Sequence, residues 1–163
     1  MILSKKIVLI GHFGVGKTSL IRRFVKNRFS EDYKVTIGVH ISKKGVELDN
    51  QSIALIIWDL EGQDDINKTR SSYLLGTHGF IYVFDLSRPA TFENLESELN
   101  FLKENYPSIP IKVVGNKTDL VNKAYLTKYS DTFQHFVDLF VSAKTGSKVE
   151  TLFSKLAKEL ILN

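Results

Sequence analysis

The chain has 163 residues and not one cysteine. Disulfides, thiolate metal centres and cysteine nucleophiles are excluded, which fits a reducing compartment. Long apolar runs are missing too. Stretches such as Ile53 to Trp58 fall far short of the roughly 20 residues that a membrane-spanning helix needs. No charged-then-apolar leader precedes Lys5, so a cytoplasmic protein is expected rather than a secreted one. Neither sign of charge dominates: the net charge is +4, with basic residues gathered at Arg22, Arg23, Lys26 and Arg28. That cluster reads as a solvated helix face, and no nucleic-acid partner is expected. Repeats, low-complexity segments and linker-like runs are absent, so residues 1–163 are expected to form one domain.

Strand and helix patterns alternate along the chain. Ile7–Ile10 is a short apolar run of the kind that forms a buried parallel strand. Thr18–Lys26 places Leu20, Ile21 and Phe24 on one helical face. Gly38–Leu48 and Ser52–Trp58 predict a hairpin around Asp49-Asn50-Gln51. Phe80–Phe84, Ile111–Val114 and Val137–Val141 predict three more strands. A helix is expected to open at Pro89 and Thr91, with Phe92, Leu95, Leu99, Leu102 and Tyr106 at steps of three and four, and to close before Pro107 and Pro110. Leu126–Phe136 predicts a weaker helix. A last helix is expected from Ser147, with Glu150 completing a capping box and Val149, Leu152, Phe153, Leu156 and Leu160 as its buried stripe. This alternation predicts an α/β fold, a mostly parallel sheet with helices on both faces. Ligands in such sheets sit outside the carboxyl ends of the strands.

Four motifs fall at those ends. In "GHFGVGKTS", Gly11 to Ser19, the spacing is that of a phosphate-binding loop. The backbone of Gly14, Val15 and Gly16 can curl so that its N–H groups face phosphate oxygens, with the helix start at Lys17, Thr18 and Ser19 adding its positive end. Lys17 can reach the outer phosphates, and Thr18 offers a hydroxyl to Mg²⁺. A Gly-rich turn with a chance lysine is the alternative. In "WDLEGQDD", Asp59 ends a strand expected beside the first. It can hold Mg²⁺, Gly62 can give its N–H to a terminal phosphate, and Gln63 can orient water. In "NKTD", Asp119 can accept from both adjacent donors of guanine, a pair that adenine lacks. Asn116 can address the N7 edge, and the stem of Lys117 can cover the ring. In "SAKTG", beginning with Ser142, Ala143 and Lys144, a small residue lets a backbone N–H approach the guanine carbonyl. Turns and helix entries remain the alternatives for the last two.

In this order, the four motifs resemble those of the Ras-superfamily small GTPases over essentially the full length. The Rab branch is the nearest. "FSEDYKVTIGV", "IIWD", "YLLGTHG" and "FIYVFDLS" are similar to Rab stretches, and "WDLEGQDD" also resembles Arf-type sequences. The resemblance implies a P-loop NTPase G domain with a six-stranded sheet, one strand antiparallel. It also implies GTP, GDP and Mg²⁺ as ligands. Thr36 takes the place of the first-switch threonine that binds Mg²⁺. Phe29 takes the place of the ring packed edge-on against guanine, and Tyr33 that of the ring over the phosphates. Residues 61 to about 72 correspond to the second switch. Effectors that read the two switches, an exchange factor and an activating protein are the implied partners, with the chain a monomer.

Three departures stand out. Phe13 and Glu61 occupy positions that are usually small in the family. The chain also lacks a cysteine-bearing tail and has Ile2 where myristoylation requires glycine, so membrane association is expected only by recruitment. Phe13 is expected to project toward the third phosphate and Gln63, the alternative being an outward ring packed on Tyr33. Two functions follow: a switch that hydrolyses GTP slowly, or a GTP-binding module that hydrolyses it negligibly. A P-loop kinase of a small metabolite fits Gly11 to Thr18 but leaves "NKTD" and "SAKTG" unexplained.

Overall fold

The computed structural model describes residues 2–32, 35–63 and 66–163. Its sheet runs β2-β3-β1-β4-β5-β6, formed by β1 (Leu3–Ile10), β2 (Val39–Leu48), β3 (Gln51–Leu60), β4 (Gly79–Asp85), β5 (Ile111–Asn116) and β6 (Leu139–Phe140). Every pairing is parallel except that of β2 with β3. The helices are α1 (Lys17–Lys26), α2 (Ser71–Leu74), α3 (Leu95–Asn105), α4 (Lys123–Lys128), α5 (Ser130–Phe136) and α6 (Val149–Leu162).

The period of two along the strands divides the core. Ile7, Leu9, Ile57, Ile81 and Val83 face Leu20, Ile21 and Phe24 of α1 and the stripe of α6. Val8, Ile10, Phe80, Tyr82 and Phe84 face Leu95, Leu99 and Leu102 of α3 and Phe133 of α5. All seven residues of β4 are buried, as a strand covered on both faces must be. On the first face Phe24 and Phe153 stack with centroids 3.9 Å apart and planes 2° from parallel. Phe153→Ala should cost about 3–5 kcal/mol through lost contacts and the cavity left behind. Urea unfolding checks this; a loss below about 1 kcal/mol would mean that the stack closes up around the gap.

Several local expectations are corrected. The hairpin pairs Leu48 with Gln51, so its loop is the two residues Asp49 and Asn50. The residues that were to open the third helix form a separate 3-10 turn, Pro89–Thr91. The Thr91 hydroxyl accepts from the Asp85 N–H and ties this turn to β4. One helix over Leu126–Phe136 is instead two, broken at Tyr129. The first starts early because the Asn122 side chain accepts from the Tyr125 N–H and caps it. The sixth strand shrinks to Leu139–Phe140 at the sheet edge. The capping box does not form. Lys148 is the N-cap residue of α6, with φ 58° and no side-chain cap, because the Ser147 carbonyl accepts from the Ser142 N–H within a tight turn. Helix α2 and the 3-10 turn Ile66–Lys68 carry too few periodic residues to announce themselves. Among the described residues no helix is long and apolar enough to cross a membrane.

Candidate nucleotide-binding site

At the carboxyl ends of β1, β3, β5 and β6 lies a cavity of about 330 Å³. It is lined by Phe13 to Ser19, Phe29, Thr36 and Gly62, and farther along by Asn116, Lys117, Asp119, Ala143 and Lys144. The order of strands reverses at β1, which is where an open α/β sheet forms its crevice.

At one end is the phosphate-loop motif. Gly16 has φ 101°, and a Cβ there would lie 2.3 Å from Asn116 Nδ2, so only glycine fits. Lys17 is 6% exposed, and its Nζ donates to the carbonyls of Gly11 and His12, both at 3.1 Å. Burial pushes this ammonium down to about 8, and Asp59 partly opposes the shift. A buried cation held, among the described residues, by neutral carbonyls and one nearby carboxylate suits an anionic ligand. Thr18 Oγ1 donates to Asp59 Oδ2 at 2.6 Å and lies 2.6 Å from Thr36 Oγ1. Burial pushes the Asp59 carboxyl up, opposed by Thr18, Lys17, His40 and Thr36. Asp59 Oδ1 is buried with no hydrogen-bond partner among the described residues.

The second-switch segment meets the loop backbone to backbone. A Cβ on Gly62 would lie 2.6 Å from Phe13 Cα and 2.9 Å from Phe13 N. Phe13 lines the cavity and is 41% exposed, and its carbonyl accepts from Arg88 Nη2 at 2.7 Å. Glu61 is exposed, and its N–H donates to the Gly38 carbonyl. Gln63 follows, half-buried and outside the cavity lining. Tyr33 lies outside the described residues.

The other end joins "NKTD" to "SAKTG". Asn116 is 1% exposed. Its Nδ2 donates to the Val15 carbonyl and its Oδ1 accepts from the Ala143 N–H, so one side chain bridges the phosphate loop and the sixth-strand loop. Lys117, at φ 71°, sends its Nζ to the Gly14 carbonyl and to Asp85 Oδ2 at 2.8 Å. Ser142 Oγ donates to Asp119 Oδ1 at 2.7 Å.

Three contributors were not anticipated. Arg22, expected on a solvated face, lines the cavity; its spacing of four from Thr18 on α1 is the signal that could have found it. Arg23, expected on the same face, donates to the carbonyls of Ala143 and Lys144. Asp85, fully buried at the end of β4, pairs with Lys117 and also lies 3.7 Å from Arg88.

The Ras family model matches residues 6–162. The chain belongs to the Ras family. Its sequence is 38% identical over 163 residues to the Ras-related protein Rab-1 of Theileria annulata, covering 95% of this chain and 73% of the relative. It is 37% identical over 160 residues to the Ras-related protein RABA1c of Arabidopsis thaliana, covering 95% and 74%. Against the Ras-related protein Rab-1A of Dictyostelium discoideum it is 38% identical over 165 residues, covering 95% and 79%. This Ras-family chain is therefore a Rab-like small GTPase that binds guanine nucleotide, with a six-stranded sheet containing one antiparallel strand.

Proposed function

We propose that residues 1–163 act as one nucleotide-controlled switch that holds GTP or GDP with Mg²⁺ and hydrolyses GTP slowly. The observation that carries this reading is the meeting of Thr18, Thr36 and Asp59 oxygens beside the buried Lys17 ammonium. Hydroxyl and carboxylate oxygens are the donors that Mg²⁺ prefers, and the unpartnered Asp59 Oδ1 fits a cation close by. Thr18 and Thr36 would bind the ion, with Asp59 supporting it. When bound, the ion neutralises charge on the phosphate oxygens.

The chain's own groups do the rest. Lys17 balances the outer phosphates, the loop N–H groups orient them, and Gly62 offers its N–H to the third phosphate. Gln63 orients the attacking water. Thr36 and Gly62 are drawn inward by GTP and released with GDP, which gives effectors two surfaces to read. An exchange factor and an activating protein would set the balance. Asp119, steadied by Ser142, selects guanine.

Thr18→Asn tests the metal role. The hydroxyl that meets both Asp59 and Thr36 is lost, and GTP should weaken by about 1–3 kcal/mol more than GDP. Equilibrium titration with both nucleotides at fixed Mg²⁺ decides it: equal weakening would leave Thr18 a packing residue. A second reading, a GTP-binding module with negligible hydrolysis, is favoured by Phe13, a bulky side chain that lines the same cavity as Gly62. Single-turnover hydrolysis by the purified protein separates the two, and the nucleotide that copurifies is a direct check. GDP indicates turnover in the cell, and GTP indicates the second reading.

A further inference from the structure

Beneath the phosphate loop is a buried polar cluster that none of the four motifs includes. His12 Nε2 lies 2.7 Å from Glu98 Oε1, with side-chain exposures of 13% and 9%. Tyr82 Oη donates to the other carboxylate oxygen, Glu98 Oε2. Burial first, and then Glu98 itself, hold the Tyr82 phenol far above its ordinary range, so it remains a donor. Glu98 thus receives one hydrogen bond from the loop and one from the centre of β4. A buried carboxylate kept by two donors of fixed position is a rigid anchor.

Lys17 and Gly62, the proposed outer-phosphate contacts, both meet His12. Its carbonyl accepts from Lys17 Nζ. Its peptide with Phe13 is the surface against which Gly62 rests, since a Cβ on Gly62 would lie 3.1 Å from the His12 carbonyl carbon. Ile66, which follows Gly62 in the second-switch segment, packs in the same core as Leu95 and Leu99 of α3, the helix that carries Glu98. The loop and the segment that must approach it are therefore referenced to one helix.

We infer that His12 and Glu98 are positioning residues for the third-phosphate contacts: by holding the His12 side chain, Glu98 fixes the peptide on which Lys17 and Gly62 depend. The inference rests on the reading of this site as one that tells GTP from GDP. Neither residue lines the cavity. Their effect is on placement, which is where a supporting shell acts.

The test measures release of fluorescent GDP and of a fluorescent non-hydrolysable GTP analogue, so it does not depend on hydrolysis. His12→Ala should speed release of the GTP analogue by about 10-fold or more while GDP changes by less than about threefold, in line with the size of outer-shell effects. Glu98→Ala should do the same. His12→Gln, whose amide can donate at nearly the Nε2 position, should return both rates to within about threefold of the parent. If His12→Ala does not fold, Glu98→Ala and Glu98→Gln carry the same comparison. Equal acceleration for both nucleotides, or none for either, would overturn the inference while leaving the nucleotide site intact. Failure of the parent chain to distinguish the two ligands would overturn the reading of the site itself, and the inference with it.

Discussion

Phe13→Gly is expected to raise the single-turnover rate of GTP hydrolysis roughly tenfold, about 1.4 kcal/mol of barrier, with nucleotide affinity little changed. Phe13 lines the cavity and is in backbone contact with Gly62. A phenyl ring turned into the cavity that Phe13 lines would offer no polar contact to a water or a phosphate oxygen and would keep Gln63 away. Gln63 itself lies outside the cavity lining. The larger expected gain is in response to an activating protein. An arginine supplied in trans is worth about 10³–10⁵ in rate, and a ring at the mouth of the loop would block its approach. Affinity should be spared because the Phe13 carbonyl, not its ring, makes the contact with Arg88, and glycine keeps that carbonyl. Glu61 belongs in the same experiment, as Glu61→Ala and as the double change. It is exposed and tied to Gly38 through its backbone, so its own effect should be small. Neighbouring side chains at one junction need not act additively. An unchanged or slower rate for Phe13→Gly would dispose of the obstruction and leave hydrolysis limited by the placement of Gln63.

How much of this was legible in the sequence depended on how local each signal was. The β1 to α1 transition was legible because an apolar run, a glycine-rich turn and an amphipathic helix follow one another within 25 residues. The strands buried on both faces were legible for the same reason. Boundaries were less so. The run from Leu126 to Phe136 has the spacing of one helix, yet Tyr129 packs edge-on to Phe92 with centroids 5.2 Å apart, and helix α4 ends there. Thr36 and Phe29 carry no local pattern in a polar loop and emerged only through family resemblance. Glu98 carries none either: read alone, it is a charge in the first turn of an amphipathic helix, a position that favours acids. Its partner His12 is 86 residues away. The same holds for Arg23 and Ala143, 120 residues apart. Pairings of that range are set by sheet order, and local periodicity is blind to them.

The motif read most directly as chemistry gives the other large expected effect. Asp119→Asn should turn preference from guanine toward xanthine nucleotides. The wild-type carboxylate has one oxygen steadied by Ser142 Oγ, an orientation that would let the group accept from guanine's two adjacent donors. An amide replaces one acceptor with a donor, and that donor would face a guanine N–H. Two charge-assisted hydrogen bonds are at stake, at about 1.5–3 kcal/mol each, so GTP affinity should fall on the order of 10²–10⁴-fold. Xanthine has a carbonyl where guanine has its amino group. The new amide N–H₂ meets that carbonyl while its oxygen still accepts from the ring N–H, so XTP should gain as GTP loses. The fold should be unaffected, because Asp119 is exposed at the cavity edge and an asparagine Oδ1 can still accept from Ser142 Oγ. Competition of GTP and XTP against a fluorescent nucleotide, with melting temperature recorded alongside, decides the matter. Parental GTP affinity with no gain for XTP would mean that the base is read elsewhere, with the backbone around Ala143 and Lys144 the next place to look. Ser142→Ala sharpens the comparison. It removes the steadying hydroxyl but keeps the carboxylate, so it should weaken GTP by about 1 kcal/mol without admitting XTP. A loss of that size together with the switch in Asp119→Asn separates orientation of the reader from its identity.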